Sequence, residues 1–256
     1  MKIKNEKLLI TTIILSSVFL LQGCSSTTKY SKSWLKKNID LTTDGKTILI
    51  EDDTVEMINS DSTGMFFMEY SRVGDDWTFG YDIGGYQMFY YDIGGEQIGY
   101  IDYAEEQECI TVDGDVSESS FVQDKDIVED LFNIDFKHAK LTQYDDSDDD
   151  LAVVALSTDD RITVLFLDKT EDICRRLEIA KKNEDGNITE MFLVVPESVS
   201  GVEIPEAVFE VEKQSEMTGE EFSSLSSQFV VGALANASFN KTLQNNGLEE
   251  SSAVEE

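Results

Sequence analysis

The sequence predicts an α+β fold, an antiparallel sheet of roughly 9 to 11 strands with helices packed on it. Two blocks of short runs with strand character, at 46–112 and 151–195, flank residues whose apolar side chains recur at helical spacing. A second helical pattern follows near the C-terminus. Hydrophobic residues make up 41% of the chain, which suffices for a core and excludes general disorder.

Residues 1–23 have the three parts of a secretory signal. Three lysines among the first seven residues give a positive start, and residues 8–21 form an apolar run. That run is shorter than the roughly 20 apolar residues that a membrane-spanning helix needs. We therefore predict that 1–23 is a signal peptide, cleaved after the small residue Gly23.

The four residues Leu21-Gln22-Gly23-Cys24 close the apolar run and resemble the lipobox of bacterial lipoproteins. The resemblance implies that the thiol of Cys24 carries a diacylglyceryl group and that Cys24 becomes the mature N-terminus. Two acyl chains are enough for stable anchoring in a bilayer. We therefore expect a lipid-anchored protein at the extracytoplasmic face of the cell membrane, with 24–37 as a flexible tether. An ordinary signal followed by an unmodified cysteine is the alternative.

The chain is strongly acidic, with a formal net charge of -32. The signal carries three Lys and one Glu, so its removal takes the net charge from -32 to -34. Such a charge excludes nucleic acid as a partner, because phosphate binding needs clustered Lys and Arg. It also repels an anionic membrane surface, so that the lipid alone would hold the protein at the bilayer. We expect a single antiparallel-sheet domain at 38–212.

The first block, 46–112, predicts an antiparallel meander of five or six strands. The stretch Tyr81-Asp82-Ile83-Gly84-Gly85 recurs ten residues later as Tyr91-Asp92-Ile93-Gly94-Gly95. Each Gly-Gly pair is typical of a tight hairpin turn, because both glycines adopt positive φ without strain. The repeat therefore predicts two hairpins that bracket a strand at 86–91.

Two strands of this block, at 65–70 and 86–93, are apolar on both faces. Because an antiparallel sheet can leave one face in water, such strands predict a cover on each side. One cover is a helix or second layer, and the other is either a further protein segment or an apolar ligand. The candidate ligand-binding residues are Met68, Tyr70, Trp77, Phe79, Tyr81, Met88 and Tyr90.

Between the blocks we predict a helix near 124–136, where apolar side chains recur every three or four residues. The acidic run at 145–150 lacks the glycine and the last glutamate of a calcium loop, and it predicts a solvated turn. Four strands follow, at 151–156, 161–168, 173–181 and 188–195.

The order of elements in the second block resembles the closing half of LolA- and LppX-like bacterial lipoprotein domains. The resemblance rests on the segments Leu167-Asp168-Lys169-Thr170, Asp185-Gly186-Asn187, and Val202-Glu203-Ile204-Pro205 with Phe209. Those domains are open half-barrels, in which helices cover a curved antiparallel sheet and acylated cargo lies between helix and sheet. The resemblance implies an open half-barrel with an apolar cleft.

The segment 213–245 predicts a C-terminal helix. Thr218-Gly219-Glu220-Glu221 fits a capping box at its start. The apolar face of this helix either docks on the domain or meets a partner or the bilayer; its members are Phe222, Leu225, Phe229, Ala233 and Ala237. Residues 246–256 are polar and acidic and predict a disordered tail.

Few residues suggest chemistry. His138 is the only histidine and lacks a nucleophile motif, and no His and Cys cluster has the spacing of a metal site. The many carboxylates leave a glycosidase-like pair open. Cys109 and Cys174 form either one disulfide or two independent buried thiols. We predict no enzymatic activity, no cofactor and no metal.

Two functions fit these observations. The first is a membrane-anchored carrier that binds a lipid or another apolar ligand in a cleft of its sheet. The alternative is a non-enzymatic interaction or structural protein of the cell envelope, with a core filled by its own side chains and another envelope protein as its partner.

Overall fold

A computed structural model of the protein describes residues 30–52, 66–103, 106–144 and 150–245. The predicted signal at 1–23, the anchor residue Cys24 and the predicted tail at 246–256 lie outside the described residues. The described part is an α+β fold with one open, mostly antiparallel sheet of 12 strands and helices against it. The predicted fold class is confirmed at this level, but the sheet has one strand more than the upper end of the predicted 9 to 11.

The strands are β1 (Lys46–Asp52), β2 (Phe66–Val73), β3 (Asp76–Ile83), β4 (Tyr86–Ile93), β5 (Glu96–Tyr103), β6 (Glu106–Asp113), β7 (Lys140–Tyr144), β8 (Leu151–Ser157), β9 (Arg161–Asp168), β10 (Cys174–Lys182), β11 (Ile188–Ser198) and β12 (Lys213–Thr218). The helices are α1 (Lys32–Asn38), α2 (Ser120–Phe132), α3 (Glu206–Phe209) and α4 (Gly219–Asn245).

Strand β1 joins the two predicted blocks into one sheet, whose order is β12-β6-β5-β4-β3-β2-β1-β11-β10-β9-β8-β7. In its register Ile50 lies opposite Met68 of β2 and Val194 of β11. Strand β12 pairs in parallel with β6, so the prediction of a wholly antiparallel sheet is wrong for this pair. The reason is the long connection at 199–212, since only a crossover can bring a strand back in the same direction.

The two faces of the sheet have different covers. On the face that we call the helix-covered face, one large hydrophobic core lies beneath α1, α2 and α4. The other face, which we call the opposite face, carries two smaller clusters. One cluster lies on β8–β10. The other lies on β4–β6, where Val208 of the 199–212 crossover packs against the sheet.

Several element boundaries differ from the prediction. Helix α2 begins at Ser120, four residues before the predicted 124, because Ser119 caps it by accepting a hydrogen bond from the Val122 amide. The predicted tether, 24–37, extends too far. Leu35 of α1 is fully buried in the core, so the fold begins before residue 37. The segment Lys213–Thr218 is strand β12, whereas a helix was predicted from 213.

The local signals at the turns and at the last helix are confirmed. Both predicted glycine pairs have positive φ, with Gly84 at 62° and Gly94 at 61° as the first member of each pair. At the start of α4 the Thr218 hydroxyl accepts from the Glu221 amide at 3.3 Å, and the Glu221 carboxylate accepts from the Thr218 amide at 2.9 Å. This is the reciprocal geometry of a capping box.

Cys109 and Cys174 are free thiols. Cys109 of β6 is buried on the opposite face, whereas Cys174 of β10 packs against the helix-covered core. Their strands lie seven positions apart in the sheet, and a disulfide needs Cα atoms within about 7 Å. The two cysteines are therefore independent.

Candidate functional site

The seven predicted ligand-binding residues lie together on the helix-covered face. They come from the neighbouring strands β2, β3 and β4, where Tyr70, Phe79 and Tyr90 stand side by side in register. All seven are buried, with exposed fractions between 0% and 8%. Residues two apart on a strand share a face, and the register of β2, β3 and β4 brings these side chains together on one inward face.

Side chains of the protein itself cover this group. Phe121 of α2 lies with its ring centre 5.0 Å from that of Tyr81 and 5.9 Å from that of Tyr90. Phe222 of α4 lies 5.6 Å from Tyr90 and stacks on Phe121 at 5.7 Å. The two helices thus place a second aromatic layer on the first, in the space where the half-barrel resemblance implies cargo.

Tyrosine hydroxyls tie α2 to the sheet. Tyr81 donates a hydrogen bond of 2.6 Å to the Asp124 carboxylate. Tyr70 donates to Glu129 at 3.1 Å, and the same Glu129 oxygen accepts from Arg72 at 2.9 Å. Burial raises the pKa of Asp124, and the bond from Tyr81 opposes that rise. These contacts between α2 and the strands fix the position of the helix over the aromatic layer.

We expect Tyr81→Phe to lower the free energy of unfolding by about 1.5–3 kcal/mol at neutral pH, the usual contribution of a hydrogen bond to a charged group. The matched control is Tyr90→Phe on the next strand. The Tyr90 hydroxyl is buried with no hydrogen-bond partner among the residues that the structure describes. Its removal is therefore expected to be neutral or stabilising. Urea denaturation of both variants measures the difference, and equal losses would contradict the assignment.

The Tyr81→Phe effect is expected to depend on pH. Without the bond from Tyr81, burial alone acts on Asp124, so its folded-state pKa rises further above the unfolded value of about 3.9. A raised carboxyl pKa gives stability that is fully present below the unfolded pKa and is lost as pH rises through the folded pKa. The loss caused by Tyr81→Phe is therefore expected to shrink as the pH is lowered from 7 towards 4.

A different kind of site lies on the opposite face, where two cavities of about 420 and 350 Å³ adjoin. Glu69 and Phe89 line both cavities. We call the two cavities together the trough. Its side walls include Leu49, Phe67, Leu193 and Val195 around the smaller cavity and Tyr91, Tyr100, Pro205 and Val208 around the larger one.

The trough is open and mostly apolar. Leu49 and Phe67 are 40% and 41% exposed, and both line the smaller cavity. The Phe89 ring lies directly on the backbone of Gly80, since a Cβ at residue 80 would come within 2.1 Å of it. Phe89 also stacks on Tyr91, with ring centres 6.3 Å apart. The Phe89 ring thus lies against the sheet as the floor of the trough, with the Tyr91 ring beside it.

Glu69 is the half-buried carboxylate between the two cavities. Burial raises its pKa, and the negative charge of Glu197 raises it further. Within the described ranges no side chain forms an ion pair or hydrogen bond with it. The neighbouring Asp82, by contrast, accepts hydrogen bonds from Gln87 at 2.9 Å and from the Gly85 amide at 3.0 Å.

One pattern in the sequence indicates the trough, although the seven predicted ligand-binding residues do not include any of its side-wall residues. Strands 65–70 and 86–93 are apolar on both faces, and Phe67 and Phe89 are their members on the opposite face. The predicted site residues all came from the other face. The trough is the part of this pattern that the helices leave uncovered.

A third cavity, of about 540 Å³, is polar and lies between the end of α2 and β7–β9. Its His138 ring lies 2.6 Å from the Asp135 carboxylate, with both side chains largely exposed. Arg161 and Asp130 form an ion pair of 2.5 Å in its wall. Among the described residues, no group of three or more His, Cys, Asp or Glu could hold a metal ion.

No family model and no curated protein matches this chain. In the described part of the chain, no helix is both long enough and apolar enough to cross a membrane.

Proposed function

We propose that the protein is a lipid-anchored, extracytoplasmic interaction protein of the cell envelope, with a core that its own side chains fill. The observation that carries this proposal is the double aromatic layer, in which Phe121 and Phe222 cover the predicted ligand-binding residues. The lipobox resemblance supports the anchor at Cys24 and the location at the membrane.

Energetics favour this interaction function over lipid carriage. For cargo to lie between helix and sheet, α2 would have to leave Tyr70 and Tyr81, which breaks two hydrogen bonds to carboxylates. Each contributes about 1.5–3 kcal/mol. Exposure of Phe121 and Phe222 costs about 1.5–3 kcal/mol for each ring. The total approaches the whole stability of a typical domain, about 5–15 kcal/mol. The state in which α2 and α4 cover the sheet therefore dominates, unless the binding of cargo offsets that free energy.

The open half-barrel stays part of the proposal. An unclosed sheet of 12 strands with its long helices on one face supports a curved arrangement of this type. In this protein the helix-covered side of the half-barrel acts as the core, and the binding surface lies elsewhere. We propose no enzymatic activity, cofactor or metal, because the pair of His138 and Asp135 is exposed and has no accompanying nucleophile motif.

Native mass spectrometry with lipid extraction tests the proposal. The mature chain is produced from residue 25, without its own lipid, in a bacterial host. We expect the bare protein mass and a cooperative thermal transition. A reproducible added mass that is released as lipid, and that Phe121→Trp displaces by filling more of the space, would overturn the proposal in favour of the carrier function.

Crosslinking in intact cells tests the interaction itself. A photoreactive residue is placed at Phe67 in the trough of the full-length, anchored chain, and in a second variant at the exposed Ile127 of α2, on the other side of the sheet. We expect a discrete adduct from at least one of these positions. The absence of any adduct at these and other exposed positions would contradict an interaction role.

A further inference from the structure

We propose that the trough binds a short, extended peptide segment of an envelope protein, with a lysine or arginine side chain between apolar residues and its cationic group against Glu69. This inference rests on the proposed interaction function and names its partner class. It assigns a binding site to the opposite face, away from the predicted ligand-binding residues.

The dimensions of the trough fit an extended peptide. Its lining residues run from Leu193 on β11 across β1, β2, β3 and β4 to Tyr100 on β5. Five strand spacings of about 4.8 Å give a length of about 24 Å, which an extended chain of about seven residues covers. The two cavities, of about 420 and 350 Å³, are each in the range of small-ligand sites.

The chemistry of the lining selects a cation. The carboxylate of Glu69 lies between two mostly apolar cavities whose polar groups are hydroxyls, an amide and further carboxylates, and neither cavity has a Lys, Arg or His in its wall. Aromatic rings such as Phe89 and Tyr91 also attract a cation at their faces. A neutral ligand would bury the Glu69 charge without compensation, and an anionic ligand would be repelled by Glu69 and Glu197.

The charge of the whole chain acts in the same direction. A formal net charge of -32 draws basic partners towards the surface and repels acidic ones. Long-range attraction of this kind raises the association rate and falls with salt. The apolar walls would then provide the part of the affinity that does not depend on salt. A basic and apolar segment satisfies both requirements.

The charged form of Glu69 also lowers the stability of the fold, and a role in binding would explain why a glutamate is present there. Burial and Glu197 raise its folded-state pKa, so the stability that its protonated form gives is lost as pH rises through that value. At neutral pH an uncharged residue at 69 is therefore better for folding. Residues that destabilise the fold in this way are typical of functional sites.

Fluorescence anisotropy tests the proposal with a labelled heptapeptide that has a central lysine flanked by leucine and valine. Two matched peptides carry glutamine or glutamate in place of the lysine. We expect the wild-type mature chain to bind the lysine peptide at least about tenfold more tightly than either matched peptide, with weaker binding at higher salt. Equal binding of the three peptides, or binding of none, would overturn the proposal.

Glu69→Gln provides the decisive variant. We expect it to weaken binding of the lysine peptide at least about tenfold while its thermal midpoint at pH 7 stays equal or rises. The control Asp159→Asn removes the same charge at an exposed turn outside the trough and should leave binding unchanged. If both variants bind the lysine peptide equally less tightly than the wild type, the effect comes from the overall charge of the chain. That result would contradict a binding site at Glu69.

A further binding measurement shows whether the trough binds a peptide or a lipid headgroup. Vesicles of phosphatidylethanolamine present an amine on an apolar surface, and Glu69-dependent binding to them instead of the peptide would assign the trough to a headgroup and overturn this proposal. The native mass measurement is independent of these results. A bare protein mass together with no peptide binding would leave the interaction function standing and remove only the partner class.

Discussion

Phe222→Ala is expected to lower the free energy of unfolding by about 3–5 kcal/mol, the usual loss for a fully buried phenylalanine. Phe222 has no exposed surface and stacks on Phe121 of α2 while it contacts Tyr90 of the sheet. It therefore connects α4, α2 and β4 at one point. Its loss leaves a cavity between Phe121 and Tyr90 that a close-packed interior closes only in part, which is why the expected effect is large.

The control for Phe222→Ala comes from the same helix. Val231 is 69% exposed, so Val231→Ala is expected to change stability by no more than about 0.5 kcal/mol. Chemical denaturation of both variants, with unchanged dependence on denaturant, measures the two effects. A loss below about 1 kcal/mol in Phe222→Ala would show that α4 does not cover the sheet as described.

Gly99 permits a second test of the same contact. A Cβ at residue 99 would lie 2.3 Å from Cε2 of the Phe222 ring, so the ring must move when Gly99→Ala is introduced. We expect this substitution to destabilise the protein when Phe222 is present and to have little effect in the Phe222→Ala background. Such coupling between the two positions is what a direct contact produces in a double-mutant cycle.

Cys24→Ser is expected to move the protein from the membrane fraction to the soluble extracytoplasmic fraction almost completely. Each buried CH₂ of an acyl chain contributes about 0.8 kcal/mol, and the two chains of a diacylglyceryl group act together. Electrostatics oppose any other attachment to the bilayer, because the chain without its signal has a net charge of -34 and repels anionic lipids. Fractionation of cells, with intact mass measured on both fractions, shows the change.

Cys109→Ser is the matched control for the anchor. It removes a different thiol, which is buried on the opposite face in β6, and should leave the chain in the membrane fraction. The mass of the wild-type chain should include a diacylglyceryl group on a chain that begins at residue 24. Membrane retention of Cys24→Ser after washing with high salt would refute the lipid anchor.

The second layer of the candidate site could not be read from the strands. Residues two apart on a strand share a face, which places Trp77, Phe79 and Tyr81 on one side, and all three belong to the helix-covered core. The same alternation does not say what lies above that face. Phe121 and Phe222 meet Tyr90 from positions 31 and 132 residues further along the chain, and no local pattern links such distant residues.

Strand β12 is an element of secondary structure that local sequence patterns could not predict. Its sequence, Lys213–Thr218, is polar and has no strand alternation strong enough to predict it. It becomes a strand because the edge of β6 offers backbone partners and because Glu108 accepts from Lys213 at 2.8 Å and from Ser215 at 2.7 Å. Those partners lie about a hundred residues earlier in the chain.

The features that depend on near neighbours could be predicted from the amino-acid sequence: the two blocks of strands in outline, the glycine turns at 84–85 and 94–95, and the capped start of α4. Each follows from periodicity, positive φ or a cap within a few residues. Which apolar face is filled and which is open could be seen only in the folded protein. That choice depends on where α2 and α4 pack, and packing is set by shape and contact between residues that are distant in sequence.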